Sequence, residues 1–257
     1  MAVKQTKKLN DSSVTDVTTV SSTDRILMKD SNGKLIPISL ANLRTALNNG
    51  VDQNVQMDGI FIMYHRKSDN YPLMVKPHKW PSLQSGGEIA DGVVVVEGGK
   101  MLVIAPTETA LTWSSAAVSG GGTTTTDRLT AMNDWAGRAN TTAQAAKTEC
   151  SSASYAPGFC NQYSRTNANG YGLTAGKWWL PSLGEMLMIY ANMTKINYAL
   201  SLITGATQLQ ENWYWTSTES SATYAWILYL TGGTVYGIFY AKASYTGRVR
   251  AVSAFIA

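Results

Sequence analysis

Trp213-Tyr214-Trp215-Thr216-Ser217-Thr218-Glu219, the run from Ile227 to Gly247, and Arg248-Val249-Arg250-Ala251-Val252 decide the fold of this chain. The first and last read as rigid structure, and the interval between them reads as replaceable surface. From Ile227 to Leu230, residues of opposite fate alternate, Ile227 and Tyr229 against Leu228 and Leu230. That is the period of a strand with two distinct faces. From Thr234 to Gly247, apart from Val235 and a single Lys242, the residues are Tyr, Gly, Ser, Thr, Ala, Ile and Phe. This composition fits neither an ordinary core nor a charged surface.

Between Ile227 and Gly247 there is no Glu, Gln, Met or Trp, and Lys occurs once. None of those residue types is encoded by a codon ending in a pyrimidine, which is the bias left when the adenines of Asn codons are randomised. Tyr with Ser and Gly is also the composition of adaptable binding surfaces. Tyr gives large contact area at low entropy cost, and the small residues let the backbone adapt. On composition alone, a Tyr-rich β-hairpin with no binding role reads equally well.

Tyr214-Trp215-Thr216-Ser217-Thr218-Glu219, Ala225-Trp226, Gly233, Val235, Lys242 and Arg248-Val249-Arg250-Ala251-Val252 resemble the variable region of target-binding proteins diversified by diversity-generating retroelements. Gly92-Val93-Val94-Val95-Val96 and Gly176-Lys177-Trp178-Trp179-Leu180-Pro181-Ser182-Leu183-Gly184-Glu185 resemble the same family's scaffold, so the likeness runs from about Asp91 to the C-terminus. It implies a C-type-lectin-like fold whose variable side chains bind a ligand and catalyse nothing. The residues expected to be exposed and to contact that ligand are Ala222, Thr223, Tyr224, Ile227, Tyr229, Thr231, Thr234, Tyr236, Ile238, Tyr240, Ala243, Ser244, Tyr245 and Thr246, with the tyrosines as anchors. Leu228, Leu230, Val235 and Val249 are expected to hold the backbone still.

The fold class expected is α+β: a C-type-lectin-like domain, with two helices, antiparallel β strands and long loops, preceded by a small N-terminal β-hairpin/helix module. A chain of 257 residues accommodates both. Residues 1–55 read as the module, 56–90 as a linker with outer strands, and 91–257 as the ligand-binding domain with its variable region at about 212–247. In the module, Asp24 to Asp30 and Lys34 to Ile38 read as two strands joined by Asn32-Gly33, and Ser39 caps a helix over 40–47. This pattern resembles small N-terminal modules of phage tail fibres, which attach a receptor-binding domain to the virion. A hairpin-helix packed on the main domain is the plainer alternative.

In the main domain, Gly59 to Tyr64 and Tyr71 to Val75 are candidate strands. Val93 to Val96 reads as a central strand turning at Gly98-Gly99 into Met101 to Ala105. Ser119 to Thr126 reads as a flexible loop. Asp127 caps a helix to about Lys147, with Leu129, Met132, Trp135, Ala136, Ala139 and Ala143 on its inner face. Ser182 caps a second helix with Glu185 as capping-box partner and Met186, Leu187, Ile189, Tyr190 and Met193 inward. Trp215 and Trp226 are expected as core anchors. One of Arg248 and Arg250 is expected to hydrogen-bond Glu219 or loop carbonyls. Cys150 and Cys160 flank Pro157-Gly158 and read either as a bonded pair or as two reduced buried thiols.

Several function classes are excluded or disfavoured. A net charge of +4, without a basic run interleaved with aromatics, gives no nucleic-acid footprint. No run of about 18 apolar residues spans a membrane, and no apolar stretch follows the charged N-terminus as in a signal peptide. Two cysteines and two histidines, His65 and His78, form no recognisable metal set, and no cofactor motif is present. No Gly-x-Ser-x-Gly elbow or nucleophile–base pair is legible, so the protein is expected not to be an enzyme. The expected function is that of a phage or prophage tail protein, made in the host cytoplasm and located in the virion. Its partners are expected to be a host-cell surface protein or glycan, other tail proteins through the N-terminal module, and copies of itself, a trimer being the form frequent among relatives. A structural tail or surface protein, with the Tyr-rich hairpin as a subunit interface, is the alternative.

Overall fold

A computed structural model describes residues 25–29, 35–39, 58–237 and 240–254. The chain divides into two compact units, Met1–Gln56 and Met57–Ala257. In the first, β1 (Arg25–Lys29) pairs antiparallel with β2 (Leu35–Ser39), Leu27 opposite Pro37. The Asn-Gly turn and the helix over 40–47 lie outside the described residues.

The second unit is α+β and begins at the candidate strands of the sequence: β3 (Gly59–His65) and β4 (Pro72–Val75), followed by α1 (Trp80–Ser85). Residues 58–90 lie within this unit: β3 and β4 form the outer end of one of its sheets, and Trp80 is fully buried. Next come β5 (Ala90–Glu97), β6 (Lys100–Ile104) and β7 (Thr109–Leu111). Gly98 and Gly99 take φ of 55° and 75°, the left-handed pair that closes a tight hairpin. The helices α2 (Arg128–Met132), α3 (Gly137–Ala145), α4 (Thr148–Ser151) and α5 (Ala156–Gln162) follow. Then come β8 (Arg165–Thr166), β9 (Gly172–Leu173), β10 (Trp178–Trp179), α6 (Leu183–Ala191) and α7 (Met193–Ser201). The chain closes with β11 (Trp213–Glu219), β12 (Ala225–Tyr229), β13 (Thr234–Tyr236), β14 (Gly247–Val249) and β15 (Val252–Ser253).

Two sheets carry the unit. One has the order β10-β15-β6-β5-β3-β4, the other β13-β12-β11-β14-β7. The central strands of both are buried on two sides. Val93 and Val95 point into one apolar cluster with Ile62, Met186 and Leu228, while Val94 and Val96 point into a second with Trp113, Trp178 and Trp215. A strand between two cores needs apolar residues at every position, which explains the uninterrupted valines of β5. Each buried valine contributes about 1.5–3 kcal/mol.

The helix expected from Asp127 to Lys147 is broken. Asp127 does cap α2, accepting from Thr130 N–H at 2.7 Å. At Asp134 the chain turns out of the helix. Its Oδ1 accepts from Ala136 N–H, Oδ2 accepts from Asn140 Nδ2 and Thr218 Oγ1, and its carbonyl accepts from Ser182 Oγ and Gly184 N–H. One residue thereby joins three elements, and an unbroken helix would withdraw its carbonyl. The helix restarts at Gly137, which has to be glycine because a Cβ there would meet Glu185 Oε2 at 2.0 Å. The inward face of α3 is polar, not apolar: Asn140, Thr141 and Gln144 are buried, while Leu129 and Trp135 are exposed. Likewise Pro157-Gly158 begins α5 instead of making a turn. Pro is tolerated in a first helical turn, and a Cβ on Gly158 would meet Ser152 O at 2.2 Å. Cys150 and Cys160 are free and buried, and burial raises both thiols, Cys150 to about 12. Among the described residues no helix is long and apolar enough to cross a membrane.

The capping box of α6 forms, Glu185 Oε2 accepting from Ser182 N–H at 2.9 Å and from Trp179 Nε1 at 3.1 Å. Burial raises the Glu185 carboxyl to about 7, against the lowering effect of those two donors. A raised folded-state pKa means the folded protein holds this proton between about 4.5 and 7 while the unfolded chain has released it. The associated stability is therefore full below about 4.5 and gone above about 7. Glu185→Gln keeps an acceptor and removes the titration. Urea midpoints should show the wild type losing up to about 3 kcal/mol relative to Glu185→Gln across that window.

Candidate functional site

Trp213 and Trp215 point to one face of β11 and Tyr214 to the other, as period-two alternation requires. Trp213 lies opposite Tyr229, Trp215 opposite Ile227, and Ile227 opposite Tyr236 on the next strand. The face they share begins inside the second core, at Trp215, Ile227 and Val249, and emerges at its edge as half-buried rings. Tyr229 stacks on Trp213 at 4.2 Å between centroids. Tyr236 and Tyr240 meet the same indole at 5.3 and 5.2 Å, and Tyr240 meets Tyr245 at 4.2 Å. Tyr245 reaches back to Trp215 at 5.8 Å. The result is a continuous aromatic floor centred on Trp213. Burial raises the Tyr245 phenol, with Tyr240 adding to the effect, so the hydroxyl stays protonated as a neutral donor.

The structure brings most of the predicted residues to this region. Tyr224 bridges Ala241, and Lys242 N–H bonds the Thr223 carbonyl, so the turn carrying Ala222 and Thr223 lies against the segment carrying Ala243 and Ser244. Ala222, Thr223, Thr231, Thr234, Ala243, Ser244 and Thr246 are exposed; Tyr224, Tyr229, Tyr236, Tyr240 and Tyr245 are half-buried. Ile238 lies outside the described residues. Ile227 corrects the expectation. It alternates with Leu228 as predicted, but its side faces the second core, so it is fully buried and out of a ligand's reach. Alternation distinguishes two faces; it does not say that one of them is wet. Leu228, Leu230, Val235 and Val249 are buried as expected, and so are Trp215 and Trp226.

The segment that carries Tyr240 and Tyr245 is tied down between them by a buried ion pair of Lys242 with Glu219. Lys242 Nζ donates to Glu219 Oε2 at 2.5 Å and to the carbonyls of Val118 and Ser221 at 2.9 Å, and sits 4.3 Å from the centroid of the Trp113 ring. The same carboxylate accepts from Gly120 N–H at 2.8 Å and Gly122 N–H at 3.2 Å. The glycine loop expected to be flexible is thus a cradle for a carboxylate. A Cβ on Gly120 would lie 2.6 to 2.9 Å from Gln144, Glu219 and Trp113. Burial pulls the ammonium below its ordinary value, and Glu219 acts in the opposite direction.

Of the two partners expected for the arginines, the structure gives loop carbonyls and not Glu219, and it adds Glu108. Arg250 donates from Nε and Nη2 to Glu108 Oε2 and bonds the carbonyls of Ala105 and Thr207, while Arg248 lies 3.4 Å from Glu108 Oε1. Tyr214 Oη donates to Glu108 Oε2 at 2.7 Å. Loop carbonyls are held as predicted, but Glu219 belongs to Lys242. Sequence reasoning missed three participants. Trp213 was legible from its alternation with Tyr214, and Lys242 from being a single cation opposite a single motif carboxylate; nothing in the sequence marked Glu108.

Two outcomes follow. Lys242→Met, which strands a buried carboxylate, should cost about 3–5 kcal/mol in urea unfolding, and Lys242→Met with Glu219→Gln should cost less than the sum of the single changes. Ile227→Ala should cost about 2–5 kcal/mol, whereas Thr234→Ala should stay within about 0.5 kcal/mol.

No family model matches the chain, and no curated protein matches it. The structure is similar to that of a fimbrial protein from Bacteroides ovatus ATCC 8483, at 14% identity and a TM-score of 0.41, over 92% of this chain and 49% of that one. The chain spans about half the length of that protein, and so distant a likeness assigns neither fold nor activity.

Proposed function

We propose that this chain is a ligand-binding protein whose second unit is a C-type-lectin-like domain, and that the aromatic floor with its rim of small residues is the contact surface. The observation that carries this reading is the cluster of half-buried rings around Trp213, ringed by exposed Thr, Ser and Ala. Rings already packed on one side lose little rotamer freedom when a partner covers the other, so contact area comes at low entropic cost. Tyrosine hydroxyls supply neutral donors and acceptors, and the rim residues can change without disturbing the frame. Among the described residues the surface holds no paired base and nucleophile, and the reading is recognition without catalysis, cofactor or metal. We read it as a protein of a phage or prophage tail, a reading supported by the resemblance of its N-terminal pattern to tail-fibre attachment modules. There it would recognise a host-cell surface protein or glycan, join other tail proteins through the N-terminal module and act as an oligomer, a trimer among the forms considered.

The test blocks the surface from its rim. Thr234→Arg with Ser244→Arg places desolvation-sensitive charge around the rings without touching the core. Adsorption of the purified protein to the host cells of its phage should fall at least about tenfold, with melting temperature and sedimentation unchanged. Dissociation of an oligomer with adsorption otherwise intact would instead make the surface a subunit interface and overturn the reading.

A further inference from the structure

Away from the tyrosines, a cavity of about 730 Å³ opens along the outer side of α3. It lies between Trp135 and Trp179, with Arg138, Ala139 and Thr142 along α3 and Glu185 from α6. Its volume falls in the range of small-ligand sites, on the order of 300–1,000 Å³. It shares no residue with the aromatic floor.

Three observations mark it as more than a surface dip. Trp135 is 39% exposed, although its indole is among the largest apolar groups in the chain. Glu185 is only 5% exposed, and while its Oε2 is taken by Ser182 and Trp179, its Oε1 has no protein donor among the described residues. Beside Arg138, the α3 positions that line the cavity, Ala139, Thr142 and Ala143, are small and leave the space between the two indoles unfilled.

The chemistry selects the ligand. Arg138 lies 5.9 Å from the Trp179 ring centroid and Lys100 lies 5.2 Å from that of Trp135, so each indole already has a resident cation and a cationic ligand would meet like charge. An anion would face the Glu185 carboxyl. A wholly apolar ligand would bury Oε1 without a donor. A neutral ring bearing hydroxyls satisfies all three constraints: its C–H faces lie on indole, one hydroxyl, able to donate or accept, pairs with Glu185 Oε1 in either protonation state, and another accepts from Arg138. We propose that this cavity is a second binding site, for a neutral polyhydroxylated ring of the hexopyranoside class. The core indoles Trp215 and Trp226 are buried and take no part.

The probes are the methyl glycosides of glucose, galactose and mannose, titrated into the full chain and followed by tryptophan fluorescence and indole N–H NMR shifts. At least one should give a saturable change with a Kd of about millimolar. Trp135→Ala should weaken it about fivefold to tenfold. Ala139→Trp, which plugs the cavity from an exposed helix position, should abolish it at unchanged melting temperature, with Thr142→Trp as a second plug should the first variant melt early. Tyr240→Ala should leave it unchanged, which separates this site from the tyrosine surface. No saturable response to any of the three glycosides would overturn the proposal, as would a response that survives the plugs, or an equal response to tetramethylammonium.

Discussion

Everything that displays the tyrosines depends on burying one ammonium against one carboxylate. Taking both charges out of water is expensive, and an apolar pair of similar volume often packs at least as well. The Lys242–Glu219 pair therefore has to be understood by what it fixes. Nζ makes three directed bonds, to Glu219, Val118 and Ser221, and the carboxylate adds Gly120 and Gly122. Those partners come from separate stretches of chain: the glycine loop, the end of β11, the turn before β12 and the segment before β14. An apolar side chain at 242 would fill the space but leave the Val118 and Ser221 carbonyls without a donor and the buried Glu219 carboxylate without its counter-charge. Hydrogen-bond direction is what puts four stretches in one register.

The same logic governs the polar run Thr216-Ser217-Thr218-Glu219, buried throughout. Between Trp215 and Glu219 the pairing of β11 with β12 is interrupted. The backbone groups released there find other partners: Ser217 N–H bonds Pro181 O, Ser217 O accepts from Gln144 Nε2, and Glu219 N–H bonds Thr123 O. An irregular strand inside a core survives only if its N–H and C=O groups are paired. From the polar inner face of α3, Gln144 supplies one of these partners directly, while Asn140 fixes Thr123 and Thr141 fixes Leu180, next to the residues that supply the others.

This also explains what was legible in the sequence. Strands with a clear rule were readable: the valines of β5, the Gly98-Gly99 turn, the capping box of Ser182 and Glu185, the alternation through Leu228 and Leu230. Each obeys a local requirement that leaves a residue-type signature. The break at Asp134 and the buried Asn140, Thr141 and Gln144 were not readable, because helical periodicity marks apolar faces and here the buried face is polar. Ile227 was misplaced for a related reason. A strand between two cores alternates between two dry environments, and period alone does not separate that from one dry and one wet. Glu108 carries no local signal at all: its partners Tyr214, Arg248 and Arg250 are more than a hundred residues away in the chain.

Joining these parts gives a division of labour between kinds of force. Apolar burial is strong but undirected, and it holds the two sheets together without specifying where a loop ends. The buried polar contacts are directed, and they fix the loop ends from which β12, β13 and β14 depart. Only then does the second core run out to its edge, where its last rings, Trp213 and the tyrosines around it, are packed on one side and open on the other. A ring in that position is neither core nor ordinary surface: the frame fixes its orientation, while its identity is constrained on one face only. Side chains farther out, at Thr231, Thr234, Ser244 and Thr246, are free even of that. Tolerance to substitution should therefore grade outward from Ile227 through the rings to the rim, following how much of each side chain the frame already holds.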